Sequence, residues 1–277
     1  MARLRPLRPS AGASPIANML WPSSVVLARW LVAHGRQLQL RAPRALELGA
    51  GLGLAGLAAG RYAANVLLTD MDPRVAANLD SAVRLNLTPG GLLADRGRDA
   101  APRSRQLDWN DAAAVREVAG GDEGWSLVLG ADIIHERHHA AGVLAALGAL
   151  LCRSGVAVLV NPVSRSRAGV DEFRALLRGQ EAQQGGLRMV TRAICSARPH
   201  DSSLLGSGDG EAPGQVPDSL LLSAPPGLAA VGFPPGVTSG NSGNSLALDA
   251  MLTEGLDEEL AAVGLDLYLI WRHSAAG

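Results

Sequence analysis

Short apolar runs alternate with stretches of helical periodicity along most of this chain, and that alternation limits the folds open to it. Ala45–Leu48, Val66–Thr69, Arg105–Leu107, Ser126–Gly130, Val156–Val160 and Leu187–Cys195 have the length and composition of strands. Between them, apolar residues at helical spacing predict helices over Leu54–Tyr62, Pro73–Leu85, a stretch from Asp111, Ala140–Leu151 and Asp171–Gln180. Leu20–His34 precedes them with the same spacing, and Ser23 or Ser24 is the expected cap after Pro22. Alternation of this kind implies parallel strands joined by crossover helices, a doubly wound α/β sheet. Leu265–Trp271 adds a last strand, whose arrival after a long excursion predicts antiparallel pairing with Leu187–Cys195.

That excursion, residues 198–247, is rich in Gly, Ser and Pro without a period, and reads as a disordered insertion. Residues 16–197 and 248–277 then form one domain, with residues 1–15 as a flexible Arg-rich N-terminus. Residues 1–46 carry seven Arg and no acid, a pattern that also occurs in organelle transit peptides. Two cysteines cannot build a disulfide framework, which points to a reducing compartment, so a cytoplasmic location is expected unless the N-terminus is an organelle address. No run of about 18 consecutive apolar residues occurs, so no membrane-spanning helix is expected. A net charge of −1 gives no strong signal for nucleic acid, and a monomer is expected. All 25 basic residues are Arg, and the chain has no Lys.

The sequence Glu47-Leu48-Gly49-Ala50-Gly51-Leu52-Gly53-Leu54-Ala55-Gly56 lies between the first strand and its helix. Glycines there let the backbone approach a ligand at the carboxyl edge of the sheet, where such folds bind cofactors. Asp70 ends the next strand, where a carboxylate can accept the ribose hydroxyls of an adenosine cofactor. Gly51, Gly53 and Gly56 also fit G-x-G-x-x-G, so a dinucleotide is a competing ligand. The lack of Lys weighs against an oxidoreductase, because no Tyr-x-x-x-Lys pair can be built.

The glycine turn after Glu47 resembles the first motif of the seven-β-strand S-adenosyl-L-methionine methyltransferases. More narrowly, the sequence resembles methyltransferase family 16, a group of mostly protein-lysine methyltransferases. The matching pieces are Trp21 in LWPSSVVLARWL, ELGAGLGLAG, Thr69-Asp70, Leu107-Asp108-Trp109-Asn110 and Gly130-Ala131-Asp132-Ile133-Ile134. The resemblance implies a seven-stranded, mostly parallel sheet with an antiparallel last strand. It also implies S-adenosyl-L-methionine as cofactor and a lysine of a protein substrate as methyl acceptor. Trp21, Glu47, Gly49, Ala50, Gly51, Gly53, Asp70, Trp109 and Ala131 would then line the cofactor pocket. A small-molecule acceptor, another protein side chain, or a non-catalytic cofactor-binding protein are the alternatives.

Methyl transfer from a sulfonium is an in-line displacement, so the site must hold the nucleophile and the methyl group in register. A lysine nucleophile must also be neutral, which at pH 7 costs about 4–5 kcal/mol from a reference pKa of ~10.4. Asp132, at the end of the fourth strand, is the expected residue to orient the amine. The family usually continues Asp-x-x-Tyr or Asp-x-x-Phe, whereas this chain has Asp132-Ile133-Ile134-His135. His135 can replace the aromatic wall and take up a proton.

His135-Glu136-Arg137-His138-His139 also spells H-E-x-x-H, the zinc-protease pattern. That chemistry needs both histidines on one helical face and a third ligand. His135 directly follows an apolar strand, and no Asp, Glu or His occurs between Ala140 and Val170. No metal site is therefore expected, with His138 and His139 read as exposed residues at a helix start.

Overall fold

The computed structural model describes residues 2–4, 16–39, 43–121, 123–163, 167–181, 186–194, 254–256 and 264–272. The proposed insertion at 198–247, Cys195 and most of residues 1–15 lie outside the described residues. A seven-stranded sheet holds the order β3-β2-β1-β4-β5-β7-β6. Its strands are β1 (Arg44–Leu48), β2 (Asn65–Asp70), β3 (Arg103–Gln106), β4 (Trp125–Ala131), β5 (Leu151–Pro162), β6 (Leu187–Ile194) and β7 (Leu265–Arg272). The first five pair in parallel. Only β7 is reversed, lying antiparallel to both β5 and β6. The expected last hairpin is therefore present, and β7 inserts between its two neighbours.

The helices are α1 (Pro22–Gln39), α2 (Leu54–Ala59), α3 (Pro73–Asn86), α4 (Ala112–Ala119), α5 (Arg137–Leu150) and α6 (Gly169–Glu181). β1, β2 and β4 are buried almost throughout, as expected of strands covered on both faces. Alternate residues go to opposite cores. Ala45, Leu68, Leu127 and Leu129 pack with Leu27, Trp30 and Leu57 on one side. Leu46, Leu48 and Val128 pack with Leu147, Phe173 and Tyr268 on the other.

Several boundaries differ from those the sequence suggests, each for a local reason. α5 starts at Arg137 instead of Ala140 because Glu136 occupies the N-cap position. β5 starts at Leu151, five residues before Val156, and its early part is hidden in the sequence by exposed Arg153 and Ser154. α2 ends at Ala59, where Gly60 takes the C-cap in place of a further turn to Tyr62. β3 covers Arg103–Gln106, an edge strand with little apolar signal. Ser24 does not cap α1: its hydroxyl donates to the Trp21 carbonyl at 2.8 Å, inside the first turn.

Candidate active site

Strands β1 to β5 run the same way, so the turns after Leu48, Asp70, Gln106, Ala131 and Pro162 gather at one edge of the sheet. β2 lies on one side of β1 and β4 on the other. This is the topological switch point, where doubly wound sheets open a crevice. The glycine turn and the loop from Asp132 to Glu136 flank that crevice.

Gly49, Gly51 and Gly53 all have left-handed backbone, with φ of 58°, 52° and 75°. At Gly49 a Cβ would meet Ile133 at 2.9 Å and the Trp109 ring at 3.4 Å, so only glycine fits without displacing the crevice wall. Ala50 is buried, and its N–H donates to the Thr69 carbonyl at 2.8 Å, tying the turn to β2. Asp70 Oδ2 accepts the Gly51 N–H at 3.0 Å, and Oδ1 accepts the Asp72 N–H at 3.1 Å. Each oxygen keeps lone-pair capacity for a second donor. Burial raises the Asp70 pKa above the usual carboxylate range, opposed by the backbone donors of Asp72 and Gly51. Asp72 itself caps α3 by accepting the Arg74 N–H.

Glu47 stands beneath the turn. It is 2% exposed, and its Oε2 accepts the Gly56 N–H at 2.8 Å, so it fastens α2 to β1. A Cβ on Gly56 would come 1.9 Å from Leu68 and 2.5 Å from that carboxylate oxygen. The third glycine thus serves helix–sheet packing. Burial pushes the Glu47 carboxyl up to about 8, against the Gly56 hydrogen bond, and the charge of Asp70 adds to the rise. A folded pKa raised from 4.5 means the folded state holds this proton more tightly than the unfolded chain. Its contribution is therefore complete below pH ~4.5 and is lost as pH rises towards about 8, over a range of a few kcal/mol. Glu47→Gln keeps an acceptor for Gly56 without the ionisation. Its melting temperature relative to the parent should climb between pH 5 and pH 8; a difference constant with pH would show no such linkage.

Trp109, in the loop after β3, is half-buried against Gly49 and against Gly142 of α5. Its Nε1 is buried without a hydrogen-bond partner in the structure. Ile16–Asn18 forms a single 3-10 turn over the opposite side, with the Ala17 carbonyl 3.4 Å from a Cβ placed on Gly51. A nucleoside cofactor requires close backbone, a carboxylate for its ribose and an apolar slot for its base. The glycine turn, Asp70 and the orphan indole of Trp109 fit those requirements. Ala131 closes β4 half-buried beside the same turn.

Across the crevice, Asp132 is 4% exposed and has left-handed backbone at φ 52°. Its N–H donates to the Val160 carbonyl at 2.8 Å. The Asn161 side-chain oxygen then accepts from Ile133 N–H at 3.1 Å and Ile134 N–H at 3.4 Å. β5 thereby holds the turn that aims the carboxylate. Arg167 grips that carboxylate in a fork, Nε to Oδ1 at 2.9 Å and Nη2 to Oδ2 at 2.7 Å. Its guanidinium also lies 5.7 Å from the centre of the Trp21 ring. His135 Nδ1 is 3.9 Å from Asp132 Oδ1, and its ring meets Trp21 edge-on at 6.4 Å. Trp21, expected in the cofactor pocket, thus stands beside Asp132 and His135. Asp132 does not cap the following helix, because that position belongs to Glu136. Arg167 and Asn161 carry no motif signal in the sequence.

The H-E-x-x-H pattern straddles the helix boundary. His135 precedes α5 and His139 lies in its first turn, so the two do not sit at i and i+4 of one helix. His139 is half-buried rather than exposed, edge-on to Trp109 at 6.0 Å, while its Nδ1 accepts the Glu136 N–H at 3.4 Å. Burial, then the neighbouring His138 and His135, lowers its pKa. Glu136→Gln should therefore cost at most a mild loss of stability, and EDTA should leave any catalytic activity intact. One tightly held zinc per chain by elemental analysis, with activity lost on its removal, would refute this.

Comparison with known proteins bears on the whole arrangement. A family profile described as lysine methyltransferase matches residues 7–178, from the N-terminal segment through α6. The chain belongs to this lysine methyltransferase family. Within it, a zebrafish (Danio rerio) relative named protein N-lysine methyltransferase METTL21A is 32% identical over 120 residues, 43% of this chain and 49% of that protein. Its mouse (Mus musculus) counterpart is 31% identical over 155 residues, 55% of this chain and 63% of the relative. Mouse EEF1A lysine methyltransferase 3 is 27% identical over 162 residues, 58% of this chain and 62% of the relative. The matches span about half to just under two thirds of these relatives. The profile covers the glycine turn, Asp70, Trp109, Asp132 and Arg167 alike.

Proposed function

We propose that this chain is a protein-lysine methyltransferase that uses S-adenosyl-L-methionine and acts as a monomer in a reducing compartment such as the cytoplasm. The observation that carries the reading is the glycine turn and Asp70 facing the buried carboxylate of Asp132 across the sheet's switch point, in a member of the lysine methyltransferase family. When bound, the cofactor supplies an electrophilic methyl group. Gly49, Ala50 and Gly51 bring backbone to it, Asp70 receives the ribose hydroxyls, and Trp109 offers an indole face and a free N–H to the base. Trp21 roofs the acceptor side, where Asp132 accepts hydrogen bonds from the incoming amine. His135 stands where the family's aromatic wall usually is and is placed to receive a proton. One chain furnishes both halves of this site, which supports a monomer.

The test is incubation of the purified chain with radiolabelled S-adenosylmethionine and cell extract, followed by acid hydrolysis of the labelled band. Because the chain has no Lys, any labelled methyllysine belongs to another protein. Methyllysine in one or a few bands is the expected result. Label in a small molecule would move the acceptor to another class, and no transfer despite cofactor binding would leave a binding protein.

A further inference from the structure

We propose that Arg167 is a positioning residue that cancels the charge of Asp132, so that the acceptor amine meets a hydrogen-bond acceptor without being held as an ammonium. This rests on the lysine methyltransferase reading above. A lone carboxylate beside the acceptor would favour the protonated amine, which has no lone pair to attack with. The Asp132 side chain is 2% exposed, so little water screens that charge. Arg167 answers it with a bidentate fork at 2.9 and 2.7 Å, while its own side chain is 20% exposed. Two N–H groups occupy one lone-pair site on each oxygen, and the carboxylate retains further sites for the amine. The fork also fixes the carboxylate plane, and Trp21 braces the guanidinium from one side.

Among the described residues, the carboxyl groups nearest this end of the sheet already have partners. Glu136 faces His138 at 3.4 Å, Asp266 of β7 faces Arg174 of α6 at 2.5 Å, and Glu47 and Asp70 hold the glycine turn. His139 lies edge-on to His135 at 6.1 Å. Asn161 of β5 is uncharged, and the imidazole of His135 lies 3.9 Å from Asp132 without a direct hydrogen bond to it among the described residues. Arg167, in direct contact, is the charge that sets the local balance.

The experiment compares Arg167→Gln with the parent, using dialysed cell extract as acceptor and saturating S-adenosylmethionine, from pH 6.5 to 9.5. Methyllysine formed per enzyme is the readout. Removing the positive charge should raise the acceptor's pKa by about one unit and leave roughly tenfold less neutral amine near pH 7. Both amines stay mostly protonated over this range, so the variant-to-parent ratio should be about 0.1 throughout it. Arg167→Lys keeps the charge and should restore the ratio to near 1. Affinity for S-adenosylhomocysteine, measured by calorimetry, should be unchanged in both variants. A ratio near 1 for Arg167→Gln, or an equal loss in Arg167→Lys, overturns the proposal. If Arg167→Gln does not fold, a ratio well below 1 for Arg167→Lys overturns it and one near 1 supports it. Loss of fold in both variants overturns it as well, because Arg167 would then be a structural clamp. A parent enzyme that forms no methyllysine at any pH defeats the functional reading instead.

Discussion

Replacing Asp70 by Ala should weaken binding of S-adenosylmethionine and S-adenosylhomocysteine by roughly 2–4 kcal/mol, the worth of two charge-assisted hydrogen bonds to ribose. That corresponds to a dissociation constant about 30 to 1,000 times higher. The carboxylate does two jobs at once. Its oxygens hold the Gly51 and Asp72 N–H groups, so Ala also releases the two backbone segments that shape the cradle. Asp70→Asn retains one acceptor oxygen and should fall between the parent and Asp70→Ala. Isothermal calorimetry of the three proteins measures the series directly. NADH should show no detectable binding to the parent. Tighter binding of NADH than of S-adenosylmethionine would identify the glycine turn as a dinucleotide site. Unchanged affinity in Asp70→Ala would remove Asp70 from the cofactor pocket.

The glycine turn and Asp70 are legible because their geometry is local in sequence. Gly49, Gly51 and Gly53 fall within five residues, and their left-handed backbone is what a strand-to-helix turn at that place demands. Asp70 was found by its position at a strand end, and the alternation of elements placed that end beside the turn. Glu47 shows the limit of that reasoning. Its place in the motif suggests contact with the ligand, whereas its carboxylate is taken up by Gly56. The surroundings of Asp132 depend on partners distant in the chain. Arg167 meets Asp132 from 35 residues away, out of a stretch whose Ser- and Arg-rich composition carries no distinguishing pattern. Asn161 is hidden at the end of an apolar strand, and only the register of β4 on β5 sets it beneath Ile133 and Ile134. Side-chain pairing of this kind is fixed by sheet register, and composition and periodicity carry no trace of it. The same holds for the helix start at Arg137, which separates His135 from His139 and removes the meaning of a five-letter pattern.

Asp132→Asn should reduce methyl transfer at least about a hundredfold, some 2.7 kcal/mol in the barrier, while cofactor affinity stays within a few-fold of the parent. Asn is chosen over Ala because the residue sits at φ 52°, a conformation that Asn adopts readily and Ala does not. The backbone turn held by Asn161 and Val160 is therefore kept, and the measurement reports on the carboxylate. Two effects then oppose each other. With Asp132 neutral, the Arg167 charge is uncompensated and favours a neutral amine, which by itself would raise the rate. Loss of the carboxylate also removes the group that aims the amine, and orientation is the larger quantity. Well-placed reactants reach effective molarities of ~10⁵ M or more, whereas the charge acts on a deprotonation cost of about 4–5 kcal/mol that is only partly relieved. The rate should fall. His135→Tyr, which restores the family's usual aromatic beside Trp21, should retain measurable activity because the carboxylate and its fork are untouched. Initial rates with labelled cofactor, alongside S-adenosylhomocysteine calorimetry, separate the two sites. Full turnover by Asp132→Asn would mean that the Arg167–Asp132 pair is structural and that the acceptor amine is aimed from elsewhere on the crevice rim.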